Sequence, residues 1–421
     1  MQSSIKLRLT VMNFLQFAVW GAYLTSMGRY LGTAGFGSEI GNFYAMQGLV
    51  SLFMPALMGI VADRWIPAQR LLGVCHTLAG MLMLGVFLYT QTDAPSYPSL
   101  FALYSLSVAF YMPTLALSNS VAYTSLDQAG LDLVKSFPPI RVFGTVGFIC
   151  TMIAVSLLGL EATSGQFAVS AIISLVLAVY AQTLPNCPTA PKGQNKSLVE
   201  ALGLRAFVLF KQRKMALFFI FSMLLGVSLQ ITNGFANPFI STFGEIPAYA
   251  DTFGVKYANI LISLSQLSET LCILLIPFAL RRFGIRRVML IAMVAWVLRF
   301  ALLGLGNPGS GVWLFLLSMI VYGVAFDFFN VSGSLFVDKE TDPSIRSSAQ
   351  GLFMIMTNGI GATLGSLGAQ AVINRFVYSQ SEATAILSGW SMSWYIFAGY
   401  AAVVAVLFAL LFRYNTATEA K

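Results

Sequence analysis

Apolar residues fill this chain in long blocks, broken by short polar or basic stretches. A helix that crosses the hydrocarbon of a bilayer needs about 20 mainly apolar residues. Twelve stretches fit, near 9–30, 41–62, 71–91, 98–123, 138–160, 166–184, 215–240, 257–280, 288–306, 312–336, 347–374 and 390–412. They fall into two groups of six. The pattern predicts an all-α integral membrane protein of two pseudo-symmetric six-helix bundles, 1–184 and 214–421, around a central polar cavity. A cytoplasmic linker, 185–213, joins them. It holds Pro185, Pro188, Pro191 and Gly193 with Lys192, Lys196, Arg205, Lys211 and Arg213. Its 198–210 segment reads as a short amphipathic helix on the membrane surface. The first stretch is too long for a signal-peptide core and no small-residue cleavage site follows, so it is expected to be retained.

Composition narrows the class. Of the 421 residues 57% are apolar and 10% are charged, against about 25% charged in soluble domains. So few charges cannot cover a soluble surface, which excludes a cytosolic enzyme and a secreted disulfide scaffold. Cys75, Cys150, Cys187 and Cys272 are scattered without metal or disulfide spacing. The one histidine, His76, leaves no histidine zinc site or Ser-His triad elsewhere, and it reads as a packing residue of the third stretch. No catalytic residue, metal or cofactor is expected. The net charge of +8 is explained by placement. With the N-terminus inside, nineteen of the 24 Lys and Arg fall in cytoplasmic segments, and only Arg29, Lys256 and Arg375 fall outside. Both termini are therefore expected in the cytoplasm. The charge faces lipid headgroups and implies no nucleic acid.

Ionisable groups at bilayer depth are costly and mark function by default. Four stand out: Arg141, Glu269, Arg299 and Asp327. Arg299 sits toward the end of its stretch and reads as a structural cation, snorkelling or paired. Arg141 follows Pro138 and Pro139 and reads either as an interfacial residue of a proline-started helix or, with Thr145 and Phe148 at i, i+4 and i+7, as part of one functional face. Gln266 and Glu269 form an i, i+3 pair, as do Gln230 and Asn233. Asp327, Asn330 and Ser334 share a face, and Asn13, Gln16, Trp20 and Tyr23 form a stripe on the first stretch. Singly, such amides are helix-packing groups. Together they predict a polar cavity suited to a small, uncharged, ring-containing solute.

The loop after the second stretch holds Gly59, Asp63 and Arg64 in the order G-x-x-x-D-R, and resembles the conformational loop motif of the major facilitator superfamily. Arg281-Arg282-Phe283-Gly284-Ile285-Arg286-Arg287 is a weaker counterpart without the Asp. Longer strings narrow the resemblance. They are Phe137-Pro138-Pro139-Ile140-Arg141, Leu229-Gln230-Ile231-Thr232-Asn233, Ser265-Gln266-Leu267-Ser268-Glu269-Thr270, Tyr322-Gly323-Val324-Ala325-Phe326-Asp327 and Met356-Thr357-Asn358-Gly359. With them the chain is similar, from about Leu7 to Arg413, to the nucleoside–proton symporter family. The resemblance implies the major facilitator fold, a bacterial inner-membrane monomer, and uptake of purine or pyrimidine nucleosides with protons by alternating access. It implies substrate contacts at Arg141, Thr145, Phe148, Gln230, Asn233, Gln266, Glu269, Tyr322, Phe326 and Asp327. Chemistry fits these positions. Amides both donate and accept, and aromatic rings stack on a base. Asp327 and Glu269 are the two candidates for carrying the proton, with Asp327 favoured. One charge moving inward gains about 2.3 kcal/mol per 100 mV, enough for more than tenfold accumulation at equilibrium coupling. The nearest rival is a proton symporter of a sugar or similar solute. A polytopic membrane enzyme would need loop acid clusters or catalytic His, which the sequence lacks.

Overall fold

A computed structural model describes residues 2–189, 204–342 and 345–414. The calls on Pro191, Lys192, Gly193 and Lys196, and on 198–203 of the surface helix, lie outside these residues. Leu204–Lys211 is a 3-10 helix. The described residues form helices joined by turns and short loops, without strands. The helices are α1 (Gln2–Gly21), α2 (Met27–Thr33), α3 (Ile40–Ser51), α4 (Met54–Arg64), α5 (Ala68–Tyr89), α6 (Tyr97–Gln128), α7 (Leu133–Leu157) and α8 (Gly165–Ala181). After the linker come α9 (Arg213–Thr242), α10 (Ala258–Leu305), α11 (Val312–Glu340), α12 (Arg346–Met354), α13 (Ala362–Phe376) and α14 (Ala383–Leu411). A π-helical segment, Ile355–Gly361, links α12 to α13.

Among the described residues nine helices are long and apolar enough to cross a membrane. One of them, α10, runs through two of the expected stretches. It bends at Gly284, whose φ of +74° only glycine adopts without strain. The first expected stretch divides at a turn between α1 and α2, and the sixth, α8, has 17 residues. The fifth differs at its start. Instead of opening on the prolines, α7 begins at Leu133, with the Asp132 carboxylate accepting from the Lys135 amide, and carries Pro138 and Pro139 inside.

The chain forms two compact units, 1–30 with 49–202 and 31–48 with 203–421. In the first, α1 packs along α7 and α8, and α5 along α6 and α8. Leu9, Leu72, Val121, Ile140 and Leu177 join these helices in one apolar core. Lipid tails are as apolar as leucine, so helix association here rests on close packing and interhelical hydrogen bonds. Gly147 makes that packing possible: a Cβ there would lie 2.1 Å from the Phe14 carbonyl oxygen of α1.

In the second unit α10 packs on α11 and α14, and α9 on the π segment, α13 and α14. Phenylalanines fill its interior. Phe218 contacts Phe219, Phe329, Phe336 and Phe353, and Phe239 contacts Phe315, Trp390 and Trp394. Residues 31–48 belong here because polar groups of α13 hold their backbone. Gln370 donates to the Gly37 carbonyl (3.0 Å) and accepts from the Gly41 amide, and Asn374 donates to the Ser38 carbonyl (3.2 Å).

Candidate functional site

In the first unit the predicted residues gather where α7 meets α1. The Arg141 guanidinium lies 4.0 Å from the ring centre of Phe17, a cation–π contact. Phe148, two turns along, is buried and meets Trp20 edge-on at 6.4 Å. Thr145, between them, is half-buried. The 3.6-residue period therefore does bring Arg141, Thr145 and Phe148 to one neighbourhood.

The α1 stripe behaves differently from its prediction. Asn13 donates to the Leu9 carbonyl of its own helix (3.0 Å). Gln16 donates to Thr114 Oγ1 (2.7 Å), and its Oε1 faces His76 Nε2 (2.8 Å). His76 Nδ1 lies 2.9 Å from Ser174 Oγ, and the Tyr111 hydroxyl donates to the Gln16 carbonyl (2.9 Å). A buried amide left unmatched is expensive, and this network matches Gln16 inside the bundle. His76 is fully buried and serves to join α1, α5 and α8, as its packing role requires.

The second unit brings together the larger predicted set. Asn233 donates from Nδ2 to Gln230 Oε1 at 2.7 Å, so the i, i+3 pair on α9 is a coupled unit. On α11 the rings of Tyr322 and Phe326 stack at 5.6 Å with an angle of 7°. Asp327 is 5% exposed and its Oδ2 has no hydrogen-bond partner among the described residues. Glu269 and Gln266 on α10 are half-buried. The Glu269 charge reaches both Tyr322 and Asp327. Asp327 is thus a buried carboxyl beside the aromatic pair.

Arg299, read as a structural cation that snorkels or is paired, is held inside the unit. It is 2% exposed. Its Nη1 donates to the Ser318 carbonyl (2.7 Å), and its guanidinium lies 4.5 Å from the ring centre of Tyr322. Its donors are engaged inside the unit on α11, so the side chain does not snorkel. Trp296, one turn earlier, meets the same ring edge-on at 6.0 Å.

A cleft beside the aromatic pair is lined by Leu225, Gly226, Leu229, Trp296, Phe326, Asn330 and Thr357. Asn330 shares the Asp327 face in the sequence pattern, and Thr357 belongs to the Met356–Gly359 string. Both were legible as polar positions, but only folding brings them beside Phe326. The loop motif lies elsewhere. Asp63 and Arg64 are exposed at the end of α4, and a Cβ on Gly59 would meet no atom within 4 Å. In the weaker counterpart, Arg286 donates from Nε to the Phe412 carbonyl (2.6 Å) and from Nη2 to that of Ala409 (2.7 Å).

The family profile described as "Nucleoside H+ symporter" matches residues 3–417. The chain is 49% identical to the xanthosine permease of Escherichia coli (strain K12) over 98% of its own length and 97% of that protein's. It is 47% identical to the nucleoside permease NupG of the same organism, with the same coverage. A crystal structure of the nucleoside transporter NupG superposes with a TM-score of 0.89 at 46% identity, covering 98% of this chain and 100% of that one. An auto-inhibited POT family peptide transporter shares the fold alone, with a TM-score of 0.69 at 16% identity, covering 98% of this chain and 97% of that one. The fold is that of the major facilitator superfamily.

Proposed function

The chain belongs to the nucleoside H+ symporter family, and we propose that this multi-pass membrane transporter brings nucleosides into the cell together with protons by alternating access. The observation that carries the reading is Asp327: a buried carboxyl with an unmatched Oδ2, in electrostatic reach of Glu269 and one residue from the Tyr322–Phe326 stack. A membrane-buried acid is retained where a proton or a substrate completes it. In this reading Asp327 takes the proton and Glu269 serves chiefly the substrate. The Tyr322 and Phe326 rings pack on the base or sugar, and Gln230, Asn233 and Gln266 hydrogen-bond its polar edges. Arg141, Thr145 and Phe148 are further proposed nucleoside contacts. Gly59, Asp63 and Arg64 act in the conformational cycle rather than on substrate.

The proposal extends to topology. Twelve spans as two groups of six, with both termini in the cytoplasm of a bacterial inner membrane, fit the distribution of Lys and Arg. The unit of transport is a monomer, and purine and pyrimidine nucleosides are both candidate cargo.

The test is uptake of labelled uridine into proteoliposomes, with and without an inward proton gradient. Wild type accumulates uridine only with the gradient. Asp327→Asn still exchanges uridine across the bilayer but no longer concentrates it. Accumulation by the mutant would move coupling to Glu269 or another group. A wild type indifferent to uridine would remove the nucleoside reading.

A further inference from the structure

We propose that Arg299 is a positioning residue of the transport site: a buried cation that fixes the Tyr322 ring, and through its stack Phe326, for substrate. The inference rests on the nucleoside-transport reading given above. Arg299 touches none of the residues assigned to substrate except Tyr322.

The cost of this side chain is the starting point. A guanidinium taken fully out of water is expensive unless it is paired, and an apolar side chain of similar volume usually serves packing as well or better. Arg299 is 2% exposed, and no carboxylate of the described residues lies within ion-pair distance of it. Its Nε has no hydrogen-bond partner among the described residues. What it has is one strong donation, from Nη1 to the Ser318 carbonyl at 2.7 Å, and the face of Tyr322 at 4.5 Å. The backbone tie is returned, since Ser318 Oγ donates to the Arg299 carbonyl at 3.0 Å. The guanidinium plane is thus anchored to α11 one turn before Tyr322.

Tyr322 is the aromatic face that the cation meets. Glu269, Arg299 and Asp327 all act on it electrostatically. A cation–π contact is stronger when desolvated, and a planar guanidinium stacks where an ammonium only points. The geometry holds the ring from the side of the cation and leaves its partner Phe326 half-buried beside the cleft. Loss of the plane should free the Tyr322 ring and weaken substrate binding, while the chain still folds and cycles.

The experiment is uridine uptake kinetics on purified, reconstituted Arg299→Lys and Arg299→Met, normalised to monodisperse protein. Arg299→Lys keeps the buried charge and is the variant chosen to keep the fold. Its KM is expected to rise about tenfold with the maximal rate within about twofold. Arg299→Met is expected to do the same where it folds. In a Tyr322→Leu background, either substitution should add nothing further to KM. A lower melting temperature with an unchanged KM for Arg299→Lys would make the residue structural and overturn the inference. Full additivity with Tyr322→Leu would overturn it too. Wild-type protein that does not transport uridine would sink the nucleoside reading instead, and the two failures are told apart by that one control.

Discussion

Asn233 donates its side-chain amide to Gln230 at 2.7 Å, so one amide of α9 is committed to orienting the other. The Gln230 Oε1 is occupied, and its Nε2 is the end left to donate toward a nucleoside acceptor. A hydrogen bond of this kind contributes about 0.5–1.5 kcal/mol net. Asn233→Ala should therefore raise the KM for uridine by roughly two- to tenfold with little change in maximal rate. Asn233→Asp, which cannot donate, should do the same. Uptake kinetics on reconstituted protein read the effect, and a KM equal to wild type in both variants would show that the bond does not matter to binding.

Helix packing in the first unit gives a prediction with an internal control. A Cβ at Gly147 would sit 2.1 Å from a backbone oxygen of α1, which cannot swing aside as a side-chain end can. At Gly59 the same Cβ would meet nothing within 4 Å. Gly147→Ala should therefore destabilise by about 1–3 kcal/mol, the usual cost of overpacking, and Gly59→Ala, inside α4 with open space around it, should hold or slightly raise the melting temperature in detergent. Equal melting temperatures for the two variants would refute the close approach of α1 and α7.

The contrast between Gly147 and Gly59 also marks what the sequence could carry. Blocks of about 20 apolar residues and the sidedness of Lys and Arg follow from the bilayer itself, so the helices were legible from one chain. The site was legible where cost and period coincide, as at Asp327 and the Gln230–Asn233 pair. It was not legible where the answer depends on a neighbour from a distant segment. Gln16 looked cavity-facing until His76 and Thr114, 60 and 98 residues away, took its hydrogen bonds. Arg299 read as a structural cation, snorkelling or paired, and only folding shows that its partners are the Ser318 carbonyl and the Tyr322 ring. A periodicity gives the face of a helix, but which helix covers that face is a tertiary fact.

The basic junction between the limbs of α10 has a structural role at Arg286. Its two donations to the Phe412 and Ala409 carbonyls satisfy groups at the end of α14 that lack partners in their own helix. Hydrogen bonds from a charged donor contribute about 1.5–3 kcal/mol, less here because the pair is only part-buried. Arg286→Ala should lower the melting temperature measurably, and Arg286→Lys should recover only part of the loss because an ammonium cannot make the fork. Arg282→Ala, at an exposed position of the same junction, should have no effect. If Arg282→Ala and Arg286→Ala melt alike, the junction acts only as a topological charge.

The ion pair of Arg29 and Glu161 is asymmetric, and the asymmetry can be measured. The two lie 3.2 Å apart, but the Arg29 side chain is 18% exposed and that of Glu161 only 4%. Glu161 also accepts from Ser156. Removing the cation strands a buried carboxylate, whereas replacing the carboxylate by an amide leaves Arg29 an acceptor and a path to water. Breaking a fully buried pair costs about 3–5 kcal/mol, and the exposure of Arg29 reduces that. Arg29→Met should destabilise by about 2 kcal/mol, a fall of roughly 2–3 °C in melting temperature for a chain of 421 residues. Glu161→Gln should cost clearly less. The double variant should melt above Arg29→Met alone, because it removes the stranded charge as well as the pair. Thermal unfolding of the four proteins in one detergent closes the cycle. A double variant that melts lower by the sum of the two single losses would show that the residues do not interact.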